Sequence, residues 1–179
     1  MPDLFTQTDS SITVDTDRPA TGWRKALEFP NPVNDYAARS TAALVIVLAV
    51  AATVVNQWWL YAILTLGFAL RVAGGPKYSP FGRLAVHVIV PNVVKKEKLV
   101  PGPPKRFAQT IGLVFSGTAL ILSLTHHGLA AQIVTGALIV AAFLEAAFGV
   151  CLGCIAFGYL QRAGVIPASV CEECNRFGA

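Results

Sequence analysis

The sequence predicts an all-α integral membrane protein, a four-helix bundle with an interfacial segment between its second and third helices. Of the 179 residues, 54% are hydrophobic and only 13% are charged, against roughly 25% charged in an ordinary soluble domain. Long apolar runs occupy residues 40–70, 107–125 and 130–161, and about 20 apolar residues suffice to cross a hydrocarbon core. This composition excludes a soluble cytosolic enzyme and a disordered chain.

The first apolar run is interpreted as a helical hairpin rather than one long span. Its 31 uncharged residues are too many for one straight span and too few for two full ones. Asn56-Gln57-Trp58-Trp59 lies in its middle, and amides and indoles suit a membrane interface better than the bilayer centre. We therefore predict two short helices, over residues 34–55 and 58–74. Arg39 and Arg71 lie almost symmetrically about the turn, each near the opposite interface, and we expect both side chains to reach that interface along their aliphatic stems.

A third helix over residues 107–125 and a fourth over residues 130–161 complete the predicted bundle. Thr125-His126-His127-Gly128 separates them. We interpret the two histidines as interfacial, with a proton or quinone role as the alternative. Proline and glycine at residues 101–104 form a stiff end to the connection that precedes the third helix.

The connection between the second and third helices, residues 75–106, is predicted to lie partly in the plane of the lipid headgroups. Residues 81–94 are mostly apolar, with Arg83 and His87 among them, and lead into Lys95-Lys96-Glu97-Lys98. Apolar side chains beside a basic cluster are typical of a segment that binds membrane lipid; a re-entrant or packed loop is the alternative. The cluster carries no aromatic side chains on which bases could stack, so no nucleic acid partner is predicted.

The distribution of basic residues predicts how the chain crosses the membrane. Of the 14 Lys and Arg, four lie in the N-terminal segment up to and including Arg39, eight lie in and beside the central connection and two follow the last span, whereas neither hairpin turn has any. Because basic residues of short loops stay cytoplasmic, we predict a multi-pass protein of the cytoplasmic (inner) membrane with both termini in the cytoplasm. Residues 1–30, without the apolar core of a secretory signal, are expected to form a flexible tail, residues 31–161 the membrane domain and residues 162–179 a second polar tail.

The four cysteines form two C-x-x-C pairs near the end of the chain. Cys151 and Cys154 fall in the fourth predicted helix, where positions three apart share one face. They lie toward the C-terminus of that helix, where the dipole disfavours a thiolate. Cys171 and Cys174 follow in the polar tail, which is long enough to fold back so that all four thiols could meet.

Three hypotheses account for these cysteines. They can form a thiol–disulfide or sulfur relay, in which the membrane pair stores reducing equivalents and the tail pair meets a soluble partner; the protein would then be a thiol–disulfide oxidoreductase. They can instead bind zinc or an iron–sulfur cluster through all four thiolates, with a scaffolding or electron-transfer role, since sixteen residues between the two pairs fit that pattern. Last, they can be buried or incidental thiols without a site.

Glu145 is the one charged residue well inside a predicted span. Function is the default hypothesis for such a residue, because a carboxylate in lipid is costly. It precedes Cys151 by six residues, which places it on another face of a continuous helix. We expect it either to relay protons or to be protonated and hydrogen-bonded to a Ser or Thr of the third helix. Transport has little support, although four short helices could form a homodimer.

Three segments beside or within the spans carry a resemblance. They are Asn34-Asp35-Tyr36-Ala37-Ala38-Arg39, Gly102-Pro103-Pro104-Lys105-Arg106-Phe107-Ala108-Gln109 and Cys151-Leu152-Gly153-Cys154. From about residue 30 to residue 159 the chain resembles an uncharacterised bacterial four-helix membrane family, a domain of unknown function. In actinobacteria that family is often encoded near thioredoxin-like and rhodanese-type sulfurtransferase proteins, which implies such partners and thiol or sulfur chemistry. The arrangement is also similar to quinone-coupled disulfide-forming enzymes, which makes a quinone a candidate cofactor, although the predicted side of the membrane differs.

Overall fold

The computed structural model describes residues 33–75, 78–85 and 98–167 of the chain. Several sequence predictions therefore lie outside the described residues. They concern the N-terminal tail, most of the interfacial segment with His87, and the tail pair Cys171 and Cys174. The described part contains the membrane helices and the first C-x-x-C pair.

Helices make up most of the described chain, which confirms the all-α fold class. They are α1 (Asp35–Val55), α2 (Trp58–Gly74), the short α3 (Pro80–Leu84), α4 (Gly102–Leu124), α5 (Gly128–Phe143) and α6 (Leu152–Arg162), with a π-helical turn over Leu144–Phe148 after α5. Within the described residues, three segments are long and apolar enough to cross a membrane, namely α1, α4 and the continuous Gly128–Phe148. The apolar helix α2 is shorter, at 17 residues.

The first apolar run forms a hairpin, and its turn lies at Asn56 and Gln57. Asn56 has a left-handed backbone with a φ of 51°, a conformation that Asn tolerates better than most residues. Its side-chain oxygen accepts a hydrogen bond of 3.3 Å from the Tyr61 hydroxyl. Trp58 is half exposed beside the turn, as an indole at a membrane interface should be. The Asn56 side chain also lies against Gly128, so the two hairpin turns are neighbours at one end of the bundle.

The core lies between α1, α2, α4 and α5 and is built mainly from Ala, Val and Leu side chains, with Tyr61 and Phe68 among them. Val45, Leu64 and Leu138 belong to one buried cluster, and Tyr61 and Ala119 belong to a second one nearer the hairpin turns. Small residues let helices approach closely in a membrane, where packing holds them together. The outer surface carries many exposed large apolar side chains, which suits a surface in contact with lipid.

A short antiparallel β-bridge ties the opposite end of the bundle together. β1 (Val33–Asn34) pairs with β2 (Leu99–Val100), and the Asp35 amide donates a hydrogen bond of 2.7 Å to the Lys98 carbonyl. α4 begins at Gly102 with prolines in its first turn, where their missing amide hydrogens leave no helical hydrogen bond unmade. The bridge therefore places the start of α1 beside the start of α4.

The fourth predicted helix, residues 130–161, is not continuous, and that prediction is wrong. α5 ends at Phe143, the π-helical turn follows, and Gly149 takes a left-handed conformation with a φ of 71°. Glycine adopts this conformation at little steric cost, and here it ends the helix. A new helix, α6, begins at Leu152. The break is not visible as a change in hydropathy, because apolar residues continue on both sides of Gly149.

Candidate functional site

Cys151 and Cys154 form a disulfide at the start of α6. Their Cα atoms are 5.2 Å apart, within the usual range for such a bridge. Cys151 is the N-cap residue of α6, and its sulfur accepts a hydrogen bond of 3.3 Å from the backbone N–H of Cys154. The prediction that this pair lies toward a helix C-terminus is wrong, because the break at Gly149 starts a new helix. At a helix N-terminus the dipole favours a thiolate.

The two cysteines differ in their accessibility. Cys151 is 9% exposed, whereas Cys154 is only partly buried. Between them, Gly153 packs directly against α4, so that a Cβ at Gly153 would overlap the backbone of Ala108. An edge-to-face contact between aromatic rings also joins α4 and α6. These contacts fix the disulfide on the first turns of α4.

Arg39 of α1 binds the carbonyl groups that the helix break leaves without partners. Its guanidinium donates hydrogen bonds of 3.2 Å from Nε and from Nη2 to the Ala146 carbonyl, and one of 2.9 Å from Nη2 to the Ala147 carbonyl. Carbonyls at a helix C-terminus lack internal donors and carry partial negative charge, so a cation there is stabilising. Arg39 therefore stabilises the break that allows α6 to begin at the cysteines.

Lys105 joins the only two side-chain carboxylates in the described part of the chain, Asp35 and Glu145. Its Nζ lies 2.9 Å from Asp35 Oδ1 and 2.9 Å from Glu145 Oε1. The side chain of Lys105 is 7% exposed, that of Asp35 10% and that of Glu145 22%. Each charge would be costly to bury alone, and the cation offsets both carboxylates. The prediction that Glu145 binds a Ser or Thr of the third membrane helix is wrong. Its partner does lie on that helix, α4, but is Lys105.

Arg71 points into the bundle, so the prediction that it reaches the membrane surface is wrong. It is 6% exposed, its Nε donates a hydrogen bond of 3.2 Å to the Gly67 carbonyl, and its Cζ lies 4.5 Å from the centre of the Phe68 ring. The negative face of an aromatic ring attracts a cation at this distance, and Glu145 attracts the guanidinium as well. Its Nη2 has no hydrogen-bond partner within the described residues.

These groups surround a cavity of about 380 Å³ at the bridged end of the bundle. Lys105, Arg71, Glu145 and Cys151 line it. Gln109 lines it too, and its buried Oε1 has no hydrogen-bond partner in the described part of the chain. The remaining lining is mainly apolar. Glu145 and Cys151 share this cavity, contrary to the prediction of different faces, because the π-helical turn and the helix break change the helical phase between them.

The other predicted site residues are not part of this cavity. Cys171 and Cys174 fall outside the described residues, so the structure places one of the two C-x-x-C pairs. Within residues 33–75, 78–85 and 98–167, no three His, Cys, Asp or Glu side chains cluster so that they could hold a metal ion. His126 and His127 are exposed in the turn between α4 and α5, and neither lines the cavity.

Sequence reasoning missed Asp35, Lys105, Arg71 and Gln109 as members of the site. A signal for the first two was present. In a bundle of hairpins the first and third helices begin at the same end, and each carries a charged residue in its first turn. A lone carboxylate and a lone lysine at such positions are candidates for an ion pair. For Arg71 and Gln109 the sequence offered no comparable signal.

The fold and the site define an all-α membrane protein in which a disulfide, a buried ion cluster and a cavity lie together at one end of a helical bundle. The chain belongs to the family described as "Domain of unknown function (DUF4395)", whose family model matches residues 33–162. This confirms the resemblance drawn from the sequence. All three segments that carry it contribute to the cavity lining, through residues such as Ala37, Lys105 and Cys151. No curated protein and no solved structure matches the chain.

Proposed function

We propose that the protein is a membrane thiol–disulfide oxidoreductase, a relay whose membrane centre is the Cys151–Cys154 pair. The observation that carries the proposal is the position of the disulfide, which caps a helix N-terminus while Cys151 lines a cavity. Thiol–disulfide exchange requires an accessible sulfur to attack and a stabilised thiolate to leave. The partly exposed Cys154 offers the first, and the buried, hydrogen-bonded Cys151 offers the second.

In this reaction an incoming thiolate attacks the Cys154 sulfur. The Cys151–Cys154 bond breaks as a mixed disulfide forms, and Cys151 leaves as a thiolate stabilised by the N–H of Cys154 and the dipole of α6. A second thiol of the donor then attacks the donor sulfur in the mixed disulfide and releases Cys154. The donor dithiol becomes a disulfide, and the membrane pair gains two electrons and two protons.

The two cysteines should trap adducts unequally. Cys151→Ser leaves the more exposed Cys154, which we expect to form a stable mixed disulfide when the purified protein is treated with oxidised glutathione. Cys154→Ser leaves the buried Cys151, which should form far less of the mixed disulfide. Both variants also carry Cys171→Ser and Cys174→Ser, so that mass spectrometry of the intact proteins measures the adduct on the one remaining cysteine. More adduct on Cys151 than on Cys154, or equal amounts, would contradict the assignment of Cys154 as the attacked sulfur.

Cys171 and Cys174 are the proposed donor pair at the polar end of the relay. Their own donor would be a soluble thioredoxin-like or sulfurtransferase protein. Cys171→Ser leaves Cys174 without the thiol that resolves a mixed disulfide, so this variant should trap such a partner in intact cells. The double variant with Cys174→Ser is the control. If no adduct forms under oxidising conditions, this part of the proposal fails.

The hypothesis of a metal site with four cysteine ligands predicts a different result from the same residues. Because zinc and iron–sulfur sites bind thiolates, Cys151 and Cys154 cannot be bonded to one another while they hold a metal. About one zinc per chain, or iron with acid-labile sulfide, in protein purified without oxygen or chelator would favour the metal site. No metal, with the tail thiols alkylated easily and the membrane pair alkylated only after its disulfide is reduced, would favour the relay.

The proposed orientation places the bridged end of the bundle and both termini in the cytoplasm, at the inner membrane. The hairpin turns carry no Lys or Arg, whereas Arg39, Arg71, Lys98 and Lys105 lie toward the bridged end. Basic residues in short connections stay cytoplasmic. A fluorescent protein fused to the C-terminus should therefore fluoresce, and alkaline phosphatase inserted after His127 should be active. The reverse pattern would contradict the orientation.

A further inference from the structure

Two residues that line the cavity each carry a buried side-chain atom that makes no hydrogen bond to any described residue. Arg71 is 6% exposed and lines the cavity, and its Nη2 is buried without a partner among the described residues. Gln109 lines the same cavity, and its Oε1 is likewise buried without a partner there. Buried polar atoms without partners cost free energy, and native proteins contain few of them. A donor and an acceptor left open in one cavity indicate a ligand that offers an acceptor and a donor in return.

The charges around the cavity favour a neutral ligand. Arg71 and Lys105 are cations, whereas Asp35 and Glu145, both bonded to Lys105, are carboxylates, so the formal charges of these four groups cancel. An anion such as a lipid phosphate or a fatty-acid carboxylate would add a charge without a counter-ion inside the bundle, which is costly. A neutral molecule with hydrogen-bonding oxygens would bind Arg71 and leave the ion cluster balanced.

Part of the apolar lining of the cavity is also exposed at the outer surface of the bundle. Phe115 and Leu152 line the cavity and are also 36% and 46% exposed on the outer surface. In a bundle that crosses a membrane, such a surface is in contact with lipid. The volume of about 380 Å³ falls within the range of about 300–1,000 Å³ that small-molecule sites occupy. A lipid-soluble molecule can therefore reach the site from the bilayer.

We propose that the cavity binds a lipid-soluble quinone, to which the reduced Cys151–Cys154 pair passes its electrons. This inference rests on the proposed function and names its electron acceptor. Arg71 donates a hydrogen bond to a quinone carbonyl oxygen, and Gln109 accepts one from a hydroxyl of the hydroquinone. In the reaction two S–H bonds break and one S–S bond forms. The two electrons and two protons pass to the two carbonyl oxygens of the quinone, which becomes a hydroquinone.

The test uses the purified full-length protein in detergent micelles, reduced with dithiothreitol that is then removed. Decylubiquinone is the quinone probe, because all its ring carbons are substituted and thiols do not add to them. Diamide is a second oxidant that requires no binding cavity. Alkylation of free thiols, followed by mass spectrometry of the peptide that contains Cys151 and Cys154, measures how fast each oxidant re-forms the disulfide. We expect decylubiquinone to do so in the wild type, with an equal amount of hydroquinone formed.

Variants of the cavity make the test specific. Gln109→Leu and Arg71→Met remove the open acceptor and the open donor, and Thr110→Val is the control, because Thr110 is exposed on the same helix and does not line the cavity. The readout is the ratio of the quinone rate to the diamide rate, which cancels effects on the dithiol itself. We expect this ratio to fall about tenfold in Arg71→Met, which loses a buried hydrogen bond to the quinone carbonyl. It should fall less in Gln109→Leu, whose hydrogen bond forms only as the hydroquinone appears, and stay unchanged in Thr110→Val.

The outcomes separate this inference from the proposed function. If diamide re-forms the disulfide of the wild type and decylubiquinone does not, the quinone inference is overturned and the thiol relay stands. An unchanged ratio in both cavity variants would overturn the assignment of the cavity as the quinone site. A pair that neither oxidant converts to a disulfide would overturn the proposed function, and the quinone inference with it.

Discussion

The ammonium group of Lys105 lies 2.9 Å from the carboxylate of Glu145, forty residues further along the chain. The same ammonium group lies 2.9 Å from Asp35, so one lysine joins the start of α1, the start of α4 and the π-helical turn after α5. Each of these elements contributes one charge. The ion cluster therefore holds three membrane segments together at the end of the bundle where the disulfide lies.

Replacing Lys105 should cost more stability than any other substitution in this cluster. Lys105→Met leaves two buried carboxylates without a cation, and breaking a buried ion pair in this way costs about 3–5 kcal/mol. Asp35→Asn should cost less stability, because Lys105 keeps its ion pair with Glu145. Lys98→Met is the matched control, since the side chain of Lys98 is exposed. Unfolding in detergent micelles, followed by circular dichroism, measures all three. If Lys105→Met is as stable as Lys98→Met, the cluster does not hold the bundle together.

Gly153 and Gly158 lie on the same helix and should respond to alanine in opposite directions. A Cβ at Gly153 would overlap the backbone of Ala108, whereas a Cβ at Gly158 meets no atom within 4 Å. We expect Gly153→Ala to destabilise the protein by about 1–3 kcal/mol through overpacking. Gly158→Ala should stabilise it by about 0.5–1 kcal/mol, because alanine restricts the unfolded chain and favours helix. Thermal unfolding of both variants decides this; equal effects would mean that α6 does not pack on α4 as described.

Arg39 should control the order of the segment that leads into the disulfide. Arg39→Met removes the hydrogen bonds to the Ala146 and Ala147 carbonyls and leaves them without those donors, at a cost of about 1–3 kcal/mol. We expect hydrogen exchange over residues 144–154 to become faster, while exchange in α2 stays the same. Arg83→Met, at an exposed arginine of α3, is the control. Unchanged exchange in Arg39→Met would show that the break at Gly149 holds without this arginine.

The helical class and the first turn could be predicted from the sequence because each depends on local chemistry. Asn56 and Gln57 have few places in a bilayer other than an interface, and the adjacent tryptophans favour the same position. The helix break at Gly149 could not be predicted in this way. A glycine between apolar residues is compatible with a continuous helix, and the carbonyl groups at the break are bound by Arg39, which lies more than a hundred residues earlier in the chain.

The cysteine pair itself could be predicted as a candidate site, but its surroundings could not. Spacing alone places Cys151 and Cys154 on one face, whereas their position at a helix N-terminus follows from the break. Arg71 illustrates the same limit of local reasoning: an arginine near a helix end ordinarily reaches the membrane surface. Here Phe68 and Glu145 attract the Arg71 side chain into the bundle, and only the packing of the helices shows that they lie close to it.

The central claim, that Cys151 and Cys154 exchange electrons rather than brace the fold, is tested most directly by a redox titration of this pair. The double variant Cys171→Ser and Cys174→Ser isolates it, and alkylation with mass spectrometry measures its reduced fraction across a series of glutathione buffers, extended to lower potentials with dithiothreitol buffers. We expect a two-electron transition within about −270 to −120 mV, where dithiols active in exchange titrate. A pair that stays oxidised to below about −300 mV, as structural disulfides do, would contradict it.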